Sequence, residues 1–124
     1  MGTIDEYLKG ILGQVLTSYK ILTELDDNPD DLEIIKKELS KIRGLLHVLH
    51  TKLDNKKYQS DRLVTLHKLS ASYIDTYDFT REIEILAQIY YKDSSRLKNL
   101  RLLIINSLND KRLIEKFQTI LNEL

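Results

Sequence analysis

Between Leu32 and Leu53 the chain repeats an apolar residue every three or four positions without a slip: Leu32, Ile35, Leu39, Ile42, Leu46, Leu49 and Leu53. A seam of this period, sustained over three heptads, fits an α-helix. It does not fit a strand, whose side chains alternate with a period of two. A helix of this kind must cover the whole seam, either with neighbouring helices of its own bundle or with a second chain. Residues 32–53 are therefore expected at the centre of a helical bundle, with contact between subunits along the same seam as the alternative.

The helical period extends through the rest of the chain. From about Thr3 to Leu25, Ile4, Leu8, Ile11, Val15, Tyr19 and Leu22 form one stripe. Gly10 and Gly13 interrupt it, as tolerated helix weaknesses or as a site where another helix comes close. A break follows at Asp26-Asp27-Asn28-Pro29, where Asn28 suits an N-cap and Pro29 the first helical turn. Asp30, Asp31 and Glu33 then complement the positive end of the second helix, which reaches about Asp54. Asn55-Lys56-Lys57 reads as a loop. Beyond it the pattern predicts helices over 60–76, 80–92, 95–108 and 111–124, with N-caps at Ser60, Thr80, Ser94 or Ser95, and Asp110. Their stripes are Leu63, Leu66, Ser70, Tyr73 and Tyr77; Ile83, Leu86 and Tyr90; Leu97, Leu100 and Ile104; and Leu113, Phe117, Ile120 and Leu124. Leu66, Leu69, Tyr73 and Asp78-Phe79 sit at tetratricopeptide-like offsets, but Glu82 stands where that repeat needs a small residue. The expected fold is all-α: an antiparallel helical bundle with a four-helix core and additional short C-terminal helices. Its 124 residues suit a single domain spanning 1–124.

Composition removes several function classes. Without cysteine there is no disulfide framework, thiolate metal site or cysteine nucleophile. Nineteen basic residues against nineteen acidic ones argue against a nucleic-acid binder that relies on bulk electrostatics. Asp5 and Glu6 stand where a signal peptide carries Lys or Arg, and Glu6 also breaks the myristoylation pattern that Met1-Gly2 opens. The longest apolar run, Leu102 to Ile105, has four residues, far short of the roughly 20 needed to span a bilayer. A cytoplasmic location is the expectation.

No cluster makes a convincing catalytic or cofactor site. Asp26, Asn28 and Asp30 occupy the first three ligand positions of a calcium loop, but Asp31 replaces its required glycine and Lys37 its final glutamate. His47 and His50 lie three apart without a third ligand nearby, which favours histidines at the edge of the core over a metal site. Arg62 and His67 have the R-x4-H spacing that resembles the ribonuclease motif of HEPN domains, and Arg43 and His50 give a second, looser match. In that family a polar residue usually follows the Arg, whereas here it is Leu63, and the motif belongs on a late helix. No glycine-rich phosphate loop, serine elbow or suggestive carboxylate pair is present. Tyr73, Tyr77 and Tyr90 fall on apolar stripes and are expected at the core edge rather than stacked on bases. The expectation is a protein that is not an enzyme and takes no cofactor or metal.

Charge is unevenly placed. Six carboxylates and no base lie between Glu24 and Glu33, while Lys92, Arg96, Lys98 and Arg101 are opposed by Asp93 alone. The two regions either face each other within the fold or form separate docking surfaces. Lys111, Arg112 and Lys116 extend the basic final third, which also suits peripheral contact with an anionic membrane.

Four features resemble the enterocin A type of bacteriocin immunity protein. They are Ile4-Asp5-Glu6-Tyr7-Leu8 opening the first helix and a long central helix ending in Lys52-Leu53-Asp54-Asn55-Lys56-Lys57-Tyr58. The others are Arg62-Leu63 followed by Ser70 to Tyr77, and Phe79-Thr80 leading into Leu86-Ala87-Gln88-Ile89. The similarity covers residues 4–92; family members usually end in a shorter or looser tail, where this chain adds two patterned helices. The resemblance implies an antiparallel four-helix bundle in the cytoplasm of a Gram-positive bacterium. It implies protection of the producing cell through a sugar-transport permease locked by the bacteriocin, by binding and without catalysis. It places specificity in the C-terminal half, here segments 80–92 and 95–124. The candidate docking residues are Lys92, Arg96, Lys98 and Arg101, with Lys111, Arg112 and Lys116 beside them. A helical adaptor or regulator, for instance phage-encoded, that docks on a partner protein is the alternative reading, and a HEPN-like ribonuclease a third.

Overall fold

The computed structural model describes residues 4–53 and 60–124. Six helices follow one another: α1 (Ile4–Glu24), α2 (Asp31–Leu53), α3 (Asp61–Thr76), α4 (Thr80–Ile89), α5 (Ser94–Asn109) and α6 (Leu113–Glu123), with a 3₁₀ turn at Asp110–Arg112 between the last two. No strand occurs among the described residues. The protein is an all-α helical bundle. The Asn55-Lys56-Lys57 loop and the motif residues Asp54 to Tyr58 lie outside the described residues.

All seven seam residues of α2 are buried, and they are buried inside one chain. The helix lies between α1 and α3 and also touches α4 and α5, so its seam is already covered. Each such side chain contributes about 1.5–3 kcal/mol of burial energy. Joining two copies along 32–53, the alternative for this seam, would require pulling these helices apart. The other stripes converge on the same core through Leu8, Val15, Leu22, Leu66, Ile104 and Phe117, all fully buried. α6 packs on α1, α3 and α5, so Phe117 and Ile120 belong to the central core along with Leu108 of α5.

Helix ends differ in detail from the expected caps. At the start of α2, the Asp31 carboxylate accepts from the Asn28 N–H at 3.0 Å, and the Asn28 carbonyl accepts from the Asp31 N–H at 2.8 Å. This is the backward-reaching half of a capping box, and it accounts for the burial of Asp31. Ser60 caps α3 through its hydroxyl. Thr80, Ser94 and Ser95 do not act as caps. Asp78 accepts from the Thr80 N–H at 2.9 Å, and Asp93 accepts from the Arg96 N–H at 3.1 Å. In both cases a carboxylate upstream reaches the free N–H groups first and adds its charge to the helix dipole. The N–H bond from Thr80 holds the Asp78 carboxyl below its usual range.

Asp110 also takes another role. The residue preceding α6 is Arg112, which like Lys111 adopts a left-handed backbone, with φ of 59° and 55°. The chain reverses here without a glycine, and Asp110 accepts from the Tyr77 hydroxyl at 2.8 Å. Gly10 and Gly13 mark no helix contact: a Cβ built on either would meet nothing within 4 Å.

Candidate functional site

The structure divides the seven candidate docking cations into three groups. Arg101 is withdrawn from the surface. It is 8% exposed, and its guanidinium forms a bidentate pair with Asp27, Nε donating to Oδ1 at 2.6 Å and Nη2 to Oδ2 at 3.1 Å. Nη1 donates to the Leu22 carbonyl at 3.1 Å, one of the carbonyls left open in the last turn of α1. The Asp27 hydrogen bond pushes the Arg101 pKa further up, against the opposing effect of burial, with Asp31 and Asp26 adding to it. Asp27 itself has φ 65°, a conformation that aspartate tolerates better than most residues. The acidic turn and basic helix thus face each other at this point, and Arg101 is a structural clasp between the α1–α2 turn and α5 rather than a docking residue.

Lys92, Arg96 and Lys98 stand exposed at the turn between α4 and α5 and on the first turns of α5. Arg96 lies flat on Tyr90, its guanidinium carbon 3.6 Å from the ring centroid, and its Nε is 3.4 Å from Asp93. Lys92 sits 5.4 Å from the Tyr91 ring centroid. Such contacts fix the cation over an aromatic face without removing it from solvent.

Lys111, Arg112 and Lys116 form a separate group near α3. Lys111 donates to the Ser72 hydroxyl at 2.8 Å. Arg112 pairs with Glu115, which raises the pKa of the arginine and lowers that of the carboxyl. Arg112 and Lys116 line a shallow groove with Arg62, but Asp61, Glu115 and Glu123 share it, so the local charge is mixed.

Beside Lys92, Arg96 and Lys98 lies a feature that the sequence reading missed. Eight large apolar side chains are exposed among the described residues, and five of them belong to the α4–α5 hairpin: Ile85, Ile89, Tyr91, Leu102 and Leu103. Ile89 is 64% and Leu103 54% exposed. Ile85 and Leu103 line a groove of about 240 Å³ between the two helices, with Leu86, Tyr90 and Leu100 in its floor and Glu82 and Arg96 on its rim. The signal was present in the sequence. α4 carries apolar residues on a second stripe, Ile85 and Ile89, beside the core stripe of Ile83 and Leu86. On a ten-residue helix, one stripe suffices for the core.

The histidines and arginines of the ribonuclease-like spacings do not converge on one site. His50 of α2 and His67 of α3 meet ring to ring, with centroids 4.7 Å apart. Arg43 instead donates to the Tyr77 carbonyl near the end of α3, and Arg62 lines the groove facing α6. His47 is exposed on α2. The tyrosines serve the core edge: the Tyr73 and Ser107 hydroxyls are 2.9 Å apart, and burial pushes the Tyr73 pKa up. A wider groove of about 540 Å³ separates α2 from α4, where Lys36, Arg43 and Glu84 bring both charge signs to its lining.

No family model, curated protein or solved structure matches this chain. Among the described residues no helix is long and apolar enough to cross a membrane.

Proposed function

We propose that this chain is a non-catalytic cytoplasmic binding protein that acts as a bacteriocin immunity protein of the enterocin A type. It would protect its producer by docking on a membrane permease held by the bacteriocin. The observation that supports a binding role is the α4–α5 hairpin, where five exposed apolar side chains adjoin Lys92, Arg96 and Lys98. Exposed apolar side chains around a groove with a charged rim are a usual mark of an interaction surface. The hairpin falls in the C-terminal half, where the resemblance places specificity. Peripheral contact of the same cations with anionic lipid is compatible with a permease partner.

The alternative of a helical adaptor rests on the shape of the same groove, which suits an amphipathic helix of a partner. The immunity reading is tested by expressing the gene in a sensitive Gram-positive host challenged with bacteriocins of the enterocin A type. Survival well above the empty-vector control is expected. Survival equal to that control overturns the immunity reading.

A further inference from the structure

We propose that the α4–α5 face is also the contact by which two copies of this chain associate. Opposite charges, Glu82 and Arg96, stand on the rim of the groove. α4 presents Glu82, Ile85 and Ile89 on one stripe, and α5 presents Arg96, Asn99 and Leu103 on another, each a charge followed by residues three and seven positions on. The two helices meet across a tight turn, so Tyr90 and Arg96 lie at one end of the groove and Glu82 and Leu103 at the other. Eight residues of helical rise separate Glu82 from Tyr90, about 12 Å. Glu82 and Arg96 form no ion pair within the chain, and Glu82 has no ion-pair partner among the described residues.

A second copy solves this arrangement. A two-fold axis lying in the face and running across the groove brings the Glu82 end of one copy onto the Arg96 end of the other. The operation applies at both ends at once, as an isologous contact requires. Each Glu82–Arg96 pair then stands beside Leu103 of one copy and Ile89 of the other, with Ile85 of both copies between the two ends. Arg96 is positioned for this role over the Tyr90 ring and by its Nε beside Asp93, which leaves its terminal N–H groups for a second carboxylate. The chain carries no net charge to oppose self-association. An anionic bilayer fits the face less well, because Glu82 and Asp93 stand among its cations. The long α2 seam is already covered, whereas this face stays exposed.

The inference concerns the same face as the functional reading but does not depend on immunity: one is scored by sedimentation of the purified chain, the other by cell survival. Sedimentation velocity of the full chain across concentrations up to about 0.5 mM is expected to show a reversible monomer–dimer equilibrium. Glu82→Arg and Arg96→Glu each replace two attractions by two repulsions and are expected to weaken the dimer about tenfold or more. The double variant Glu82→Arg/Arg96→Glu restores the pairing with its signs exchanged and is expected to return within about threefold of the parent. Circular dichroism verifies that each variant stays folded. A strictly monomeric parent overturns the proposal, as does a dimer indifferent to the single reversals or not restored by the double one. A monomeric parent that sediments with phosphatidylglycerol vesicles would assign the face to a lipid surface instead.

Discussion

Replacing Arg101 by Met removes the guanidinium while keeping most of the buried stem. The side chains of Arg101 and Asp27 are 10% and 15% exposed, so the pair is largely sheltered from solvent. Removing one member of a fully buried pair costs about 3–5 kcal/mol, mostly because the remaining charge is left without a partner. Residual exposure and the polar turn around Asp27 reduce this, giving an expected loss of about 3 kcal/mol. Asp27 then holds a left-handed backbone and a carboxylate with no cation, and the Leu22 carbonyl loses its donor. At about 2.1 cal/mol/K of unfolding entropy per residue, a chain this long should melt about 10 °C lower. Thermal and urea unfolding followed by circular dichroism measure the loss. Asp27→Asn in the same background, which keeps a residue tolerant of the left-handed backbone, should add little, because the two residues act as one unit. A loss below about 0.5 kcal/mol, the value of an ordinary surface pair, would refute the reading of Arg101 as a clasp and return it to the docking candidates.

Three further outcomes are expected. Gly10→Ala and Gly13→Ala should each stabilise the chain by about 0.5–1 kcal/mol, since both lie inside α1 with open space at the Cβ position; urea midpoints measure this. Lys111→Gly and Arg112→Gly should each raise stability by about 1 kcal/mol by relieving a left-handed backbone, offset in part at Arg112 by loss of the exposed Glu115 pair. Stability should fall as pH rises above about 10, because Tyr73 has its pKa raised in the folded state and the unfolded chain ionises first. Tyr77, whose pKa the hydrogen bond to Asp110 raises, adds to the same decline, whereas the Arg101 pair is lost only at still higher pH. Tyr73→Phe should flatten the alkaline decline in a pH series of urea unfolding curves.

What the sequence discloses is mainly short-range order. The α2 seam is legible because each core residue lies three or four positions from the next, and the helix period does the rest. The capping carboxylates Asp78 and Asp93 are harder to read, because Thr80 and Ser94 are equally good cap types and only loop geometry decides which side chain reaches the N–H groups. Contacts between distant residues are not legible at all. The helix period puts Arg101 beside Leu97 and Ile104 on the core stripe, but Asp27 lies 74 positions away and nothing local names it as the partner. The α5–α6 reversal is hidden for the opposite reason: Lys111 and Arg112 lack the glycine that normally announces a positive φ. The hairpin surface was half legible. Its cations stand out in the sequence, but its apolar residues look like core until the bundle shows that Ile83 and Leu86 already fill that role.

The central claim is that the α4–α5 face gives this protein its binding function. It is tested most directly in the sensitive host expressing either the parent chain or Ile89→Asp/Leu103→Asp, with both proteins shown to melt alike and accumulate equally. Survival of the bacteriocin challenge is expected with the parent, and loss of protection with the double variant. Equal protection by both, or none by the parent, would contradict it.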